Sequence, residues 1–316
     1  METVLKSLFE VFGELFGVKF VPKFLPTWHK DVRAYEVRSA AGALEAYFYL
    51  DLFPRDGKFK HACCTSIMPG READSGGENL PAVAVVANFS APSGGLPVLL
   101  KFPEVETLLH EFGHVTQAIF CRAKYSALSG FNVPLDYVEV PSMLLQQWAY
   151  EQAMLRRISG NYKNTEQKLP DEIIARLIAA KNMCAGMVSL RLLALSVIDM
   201  RYHTAGGKVD TGKLYERLMK KIFVVPMAEG TRPQASLLHL MPGYAAGLYS
   251  YIWAEVIAAD IFGVFQAAGT MSRDIGRRYR EIILRPGATM DEAGQVEKFL
   301  GRKFSEAAYL KKVGCY

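Results

Sequence analysis

Apolar positions fall into two regimes along the chain. Between residues 2 and 16, Val4, Leu5, Leu8, Phe9, Phe12, Leu15 and Phe16 recur at helical spacing and predict one amphipathic helix. A β-rich section follows, in which residues 32–37 and 44–52 alternate or run apolar, with turns at Ala41-Gly42 and Pro54-Arg55-Asp56-Gly57. Residues 61–68 and 82–89 predict two more strands, separated by a polar, glycine-rich loop over 69–81. A further loop over 90–97 ends the sheet section. From Pro103 the period changes to that of long helices. Pro103 starts the first, Glu104 and Glu106 lie in its first turn, and the pattern runs to about residue 121. Further helices are expected at about 135–157, 170–200, 209–222, 243–268, 271–283 and 290–299. No internal repeat or low-complexity linker divides the chain. The expected fold is mainly α with a small β-sheet section: residues 1–100 form a helix plus the β-rich part, and 101–316 a helical body, in a single lobe.

Composition narrows the function classes. Of 316 residues, 50% are hydrophobic, 11% aromatic and 22% charged, which is globular and not disordered. The net charge of +5 arises from 37 basic and 32 acidic side chains spread along the chain, so nucleic acid is not an expected partner. Cys63, Cys64, Cys121, Cys184 and Cys315 make no CxxC pair, which predicts free thiols in a reducing compartment. Glu2, Glu10 and Glu14 inside the first amphipathic pattern are wrong for a signal peptide. The most apolar stretch, 185–200, contains Arg191 and is shorter than the roughly 20 residues of a membrane span. A soluble, cytoplasmic protein with no membrane partner is expected.

The chemistry concentrates in His110-Glu111-Phe112-Gly113-His114. Residues four apart differ by about 40° around a helix, so the two imidazoles share one face at the spacing two ligands of one zinc ion need. Glu111 lies about 60° from His114, within reach of a water on that ion without binding the metal. The plainer alternative is a pair of surface histidines. A tetrahedral catalytic zinc requires a third protein ligand. The candidate is Glu139, 25 residues after His114, placed in the early turns of a helix that Pro134 starts and Pro141 kinks. An ordinary exposed carboxylate is its plain alternative. Glu106, one turn before His110, can accept the other ring N–H of His110 and fix its tautomer, or simply complement the helix dipole. Asp136 can serve similarly.

A second cluster follows His239. Tyr244 and Tyr251 are seven apart and share a helical face with Leu248 between them; neutral phenols suit a developing oxyanion, although such stripes are more often core packing. With Asp136-Tyr137-Val138-Glu139-Val140-Pro141-Ser142 and the run from Gly243 to Glu255, the histidine motif resembles the thimet oligopeptidase and oligoendopeptidase F family of zinc metallopeptidases. Carboxypeptidase-like and dipeptidyl carboxypeptidase relatives are included in that likeness. It spans nearly the whole chain, including Tyr47-Phe48-Tyr49-Leu50-Asp51-Leu52, Gly57-Lys58-Phe59-Lys60-His61-Ala62 and Phe299-Leu300-Gly301-Arg302.

The resemblance implies a zincin-like catalytic lobe and one Zn2+ per chain held by His110, His114 and Glu139. It also implies Glu111 as general base, His239, Tyr244 and Tyr251 at the substrate or transition state, and short peptides as substrates. The strand near 82–89 is implied to pair with the extended peptide. Leu248 stands where many relatives have a tyrosine, Pro242 replaces a loop glycine, and Gln117 and Met143 replace a common His and Gln; these changes bear on substrate contacts and loop motion. Relatives carry a long helical N-terminal region that walls a narrow channel, so a catalytic lobe alone, with a more open cleft, is expected. The alternative is a zinc-binding lobe with little activity by itself, acting as a partner or regulatory subunit in a homo- or hetero-oligomer whose other chain supplies that wall.

Overall fold

The computed structural model describes residues 1–73, 76–241 and 243–315. The first apolar stripe forms helix α1 (Glu2–Phe16) and buries Val4, Leu5, Leu8, Val11, Phe12, Leu15 and Phe16. Strand β1 (Val18–Pro22) follows directly; mostly unburied, it has no strong apolar alternation to mark it in the sequence. Then come β2 (Arg33–Ser39), β3 (Leu44–Asp51) and β4 (Cys63–Met68), a short hairpin of β5 (Arg71–Glu72) and β6 (Glu78–Asn79) inside the expected loop, and β7 (Ala82–Val86). The five-stranded sheet has the order β1-β2-β3-β7-β4. Its β3–β7 pair is parallel and the other three pairs are antiparallel.

This order corrects one expectation. The strand near 82–89 is internal, bonded on one side to β3 and on the other to β4. It cannot pair with a peptide. The free edge beside it is β4, where Thr65, Ser66, Ile67 and Met68 are exposed while Ala82 to Val85 are buried. A continuous apolar run marks a strand covered on both faces, whereas strand order depends on pairings distant in sequence.

The helical body begins with α2 (Phe102–Phe120). It continues with α3 (Val140–Gln146), a 3-10 turn at Gln147–Tyr150, α4 (Gln152–Ile158), α5 (Asp171–Ala180), α6 (Ala185–His203) and α7 (Thr211–Ile222). The last elements are α8 (Tyr249–Ala268), α9 (Arg273–Tyr279) running into a π turn at Arg280–Leu284, α10 (Glu292–Leu300) and α11 (Ala307–Lys312). The single helix expected over 135–157 is broken into turns, α3 and α4. Pro141 lies in the first turn of α3, where its missing N–H costs nothing, so it starts that helix and does not kink an existing one. The stretch 170–200 divides into α5 and α6 at a turn over 181–184, and α8 starts at Tyr249, six residues later than expected. Residues 171–203 and Tyr249–Ala268 are long and apolar enough to span a membrane by length and composition alone; the first is interrupted by that turn, and α8 packs against α3, α10 and α11.

Two apolar clusters form among the described residues. The main one joins α1, the sheet, α2, α3 and α8 around Phe12, Phe48, Phe112, Trp148 and Phe265. A smaller one joins α6 and α7 through Ala194, Leu195, Ile198, Tyr215 and Met219 to Leu240 and Leu248, with Tyr251 against it.

A buried charge cluster fixes the loop between β3 and β4. Lys58 donates to the Asp51 carboxylate at 2.8 Å and to the carbonyls of Asp51, Phe53 and Ala87, while Arg55 grips Asp51 with two bonds of 2.7 Å and Trp28 adds one of 2.8 Å. Burial alone would raise the Asp51 carboxyl, but the bonds from Arg55, Lys58 and Trp28 hold it well below the usual carboxylate range. Such a group contributes stability in full above its unfolded value near 4, and that contribution is lost as pH falls below it. Asp51→Asn leaves Lys58 buried without its counter-charge and is expected to cost about 3–5 kcal/mol. Urea unfolding at pH 7 and pH 3 checks this: the gap between wild type and variant narrows at the lower pH.

Candidate active site

Helix α2 sets His110 and His114 one turn apart, with ring centroids 5.1 Å from each other. Gly113, on the same turn, lets α3 pass against α2. A Cβ there would lie 2.3 Å from the Pro141 carbonyl oxygen and 2.4 Å from Ser142 Cα. That approach delivers Glu139, the residue just before α3, to the histidine pair. Its Oε2 is 3.3 Å from His110 Nε2 and 3.2 Å from His114 Nε2. The Ser142 hydroxyl donates to Oε2 at 2.7 Å and the Tyr244 hydroxyl to Oε1 at 3.1 Å. Glu139 is therefore at the helix boundary, not within early helical turns as expected, and it is 5% exposed. Burial opposes its ionisation, but the bonds and charges of the two histidines hold its carboxyl far below the usual range. Burial likewise lowers His110, and the Glu139 bond and charge outweigh it, so that imidazole is raised overall.

Glu111 points from the same helix turn toward β4 and is 5% exposed. Burial raises its carboxyl above the ordinary glutamate value, against the pull of His110 and His114 and a hydrogen bond from the Cys64 backbone. Its Oε2 has no hydrogen-bond partner among the described residues. A buried acceptor left open costs about 1–3 kcal/mol, which marks a place for a polar group from outside the chain.

The expected supports of His110 are corrected. Gln146 Oε1, not Glu106, lies 3.2 Å from His110 Nδ1. Glu106 is engaged with Tyr150 instead. Gln146 falls two helical turns after Glu139, a spacing that could have identified it. Asp136 accepts a 3.2 Å bond from Tyr249 and so ties the start of α8 to the turn that leads into Glu139.

Tyr244, Tyr251 and His239 do converge, by a different route from the one expected. Tyr244 lies on the turn before α8, so the two tyrosines share no helical face. Their rings nevertheless stack at 5.8 Å and 16°. The His239 ring is 5.4 Å from Tyr244 and 5.7 Å from Tyr251, and its Nε2 is 3.2 Å from the Tyr251 hydroxyl. Burial first, then the Glu139 charge, pushes the Tyr244 phenol up to about 12 and Tyr251 further still. Both stay protonated donors through the neutral range. Leu248 is buried in the α6–α7 cluster and Gln117 is buried without a side-chain partner among the described residues, while Pro242 lies outside them.

The donor set fits a divalent ion. His110, His114 and Glu139 each offer one atom, all within 4.8 Å of one another. Two imidazole nitrogens and a carboxylate oxygen match the composition of a catalytic zinc site that keeps a position open, and the partnerless Glu111 oxygen lies beside them.

Thimet-like oligopeptidase of Dictyostelium discoideum is 38% identical over 319 residues, covering 99% of this chain and 47% of that protein. Oligopeptidase A of Escherichia coli is 35% identical over 292 residues, covering 91% of this chain and 43% of that protein. The chain thus spans about half the length of these relatives. Among solved structures, Pyrococcus furiosus carboxypeptidase superposes with a TM-score of 0.59 at 12% identity, over 84% of this chain and 53% of the other, which is a likeness of fold. The family model "Peptidase family M3" matches residues 1–315. Nearly the entire chain is accounted for by one family, and the chain belongs to peptidase family M3.

Proposed function

We propose that this lobe is a zinc metallopeptidase that hydrolyses short peptides. The observation that carries the reading is the convergence of His110, His114 and Glu139 beside a buried carboxylate, Glu111, with an open oxygen. Bound by the three ligands, zinc supplies Lewis-acid polarisation of the scissile carbonyl and acidifies water to a pKa near 7.

The chain's own residues do the rest. Glu111 Oε2 takes the proton of the attacking water and returns it to the leaving nitrogen. Tyr244 and Tyr251 donate to the oxygen that gains charge, Tyr244 by turning its hydroxyl from Glu139 Oε1. The free edge of β4 offers backbone groups to an extended peptide, next to Glu111 through Cys64. Tyr244→Phe is expected to lower kcat by about 10²–10³ with zinc content unchanged. Steady-state kinetics beside metal analysis checks it.

The whole reading is tested with a quenched-fluorescent peptide. Chelation abolishes cleavage and zinc restores it; cleavage that survives complete metal removal overturns the proposal.

One observation favours a second reading, in which the lobe works within an assembly. An open groove of about 1050 Å3 runs between α1 and β1, lined by Leu5, Phe9, Val18, Phe20 and Val21. A zinc-loaded oligomer or mixed complex whose isolated lobe is inert supports that reading, and a monomer that cleaves peptides supports the first.

A further inference from the structure

The turn over residues 243–248 carries Tyr244 but belongs to no helix, so something must fix it. Its hydroxyl end reaches Glu139 in the main core, while Leu248 at its other end is packed with α6 and α7. Inside α6, Asp199 is 1% exposed. Its Oδ1 accepts the Ala246 amide and its Oδ2 the Leu248 amide, each at 3.0 Å. One turn on, His203 Nδ1 lies 2.9 Å from Asp199 Oδ1 and 2.9 Å from its carbonyl. A buried carboxylate needs such partners, and bonds to a charged acceptor are about twice as strong as neutral ones.

The turn also needs to be held. Ala246 has φ 58°, a left-handed conformation that a residue with a Cβ seldom adopts. Gly247 is wedged where a Cβ would come 2.3 Å from Leu135 Cδ2 and 2.9 Å from the Tyr244 carbonyl oxygen, and its amide donates to that carbonyl at 2.8 Å. The two amides that Asp199 grips thus flank a residue bonded directly to Tyr244.

We propose that Asp199, oriented by His203, is the positioning residue that sets the place of the Tyr244 hydroxyl at the metal-site carboxylate. It acts through backbone amides and does not itself touch substrate. The inference rests on the role given to Tyr244 above.

The test uses the full zinc-loaded chain with Asp199→Asn, in which one carboxylate oxygen becomes an N–H donor facing an amide donor. Hydrogen exchange is expected to rise at residues 244–248 and to stay unchanged over α2. Turnover is expected to fall about 10–10²-fold with KM and zinc content held. In a Tyr244→Phe background the same substitution is expected to cost almost nothing more, because both act through one hydroxyl. His203→Ala gives the same pattern with smaller amplitude, and it decides the matter should Asp199→Asn fail to fold. Unchanged exchange at 244–248, or losses that multiply in the double variant, overturns the proposal. If wild type cleaves no peptide, the catalytic reading fails. The exchange result then still decides whether Asp199 places the turn.

Discussion

Glu111→Gln is expected to keep its zinc and lose about 10²–10⁴ in turnover. The substitution preserves size and the α2 packing but removes the group that moves the proton. Glutamine at this position still fits a buried site, whose neighbours His110 and His114 face Glu139 and not Glu111. Zinc content should therefore match wild type. The same carboxyl sets the acid limb of the pH profile. Burial raises it above the ordinary glutamate value, and a base works only when ionised. Activity should thus fall at low pH as this carboxyl takes up a proton. Single-turnover cleavage with metal analysis checks both points, and wild-type hydrolysis by the variant removes Glu111 from the role.

Gly113→Ala is expected to separate the ligands without touching one. The added methyl would meet the backbone of Pro141 and Ser142 at 2.3–2.4 Å, and backbone yields only by moving α3. Overpacking of this kind costs about 1–3 kcal/mol. Here the displaced helix carries Glu139, so zinc affinity should fall together with stability. Urea midpoints and zinc content of the purified variant read the two effects. Wild-type affinity would mean that α3 reaches the histidines by some other restraint.

Much of this arrangement is written locally in the chain. The 3.6 period that starts at Pro103 is enough to put His110 and His114 on one face, and helix α2 covers the expected span. Glu139 stands out in the sequence as the candidate acid after the pair, but it caps α3 and does not lie inside a helix, because Pro141 starts a helix as readily as it bends one. Their spacing of seven suggests that Tyr244 and Tyr251 share a helical face, whereas the contact arises across a turn whose path Gly243, Ala246 and Gly247 decide. What stayed hidden depends on partners far apart in sequence. Strand order decides that β4 and not β7 is the edge. Gln146 reaches His110 from 36 residues away, and Asp199 holds amides 47 and 49 residues ahead of it. Gln146 at least follows Glu139 by two helical turns, whereas no local pattern marks Asp199.

The central claim is that two imidazoles and one carboxylate form a single cation site. Calorimetric titration of zinc into metal-free wild type and Glu139→Ala tests it most directly. The account predicts one zinc per wild-type chain and a loss in the variant larger than the roughly 10–100-fold that follows removal of a supporting partner. Equal affinity in the two proteins would contradict it.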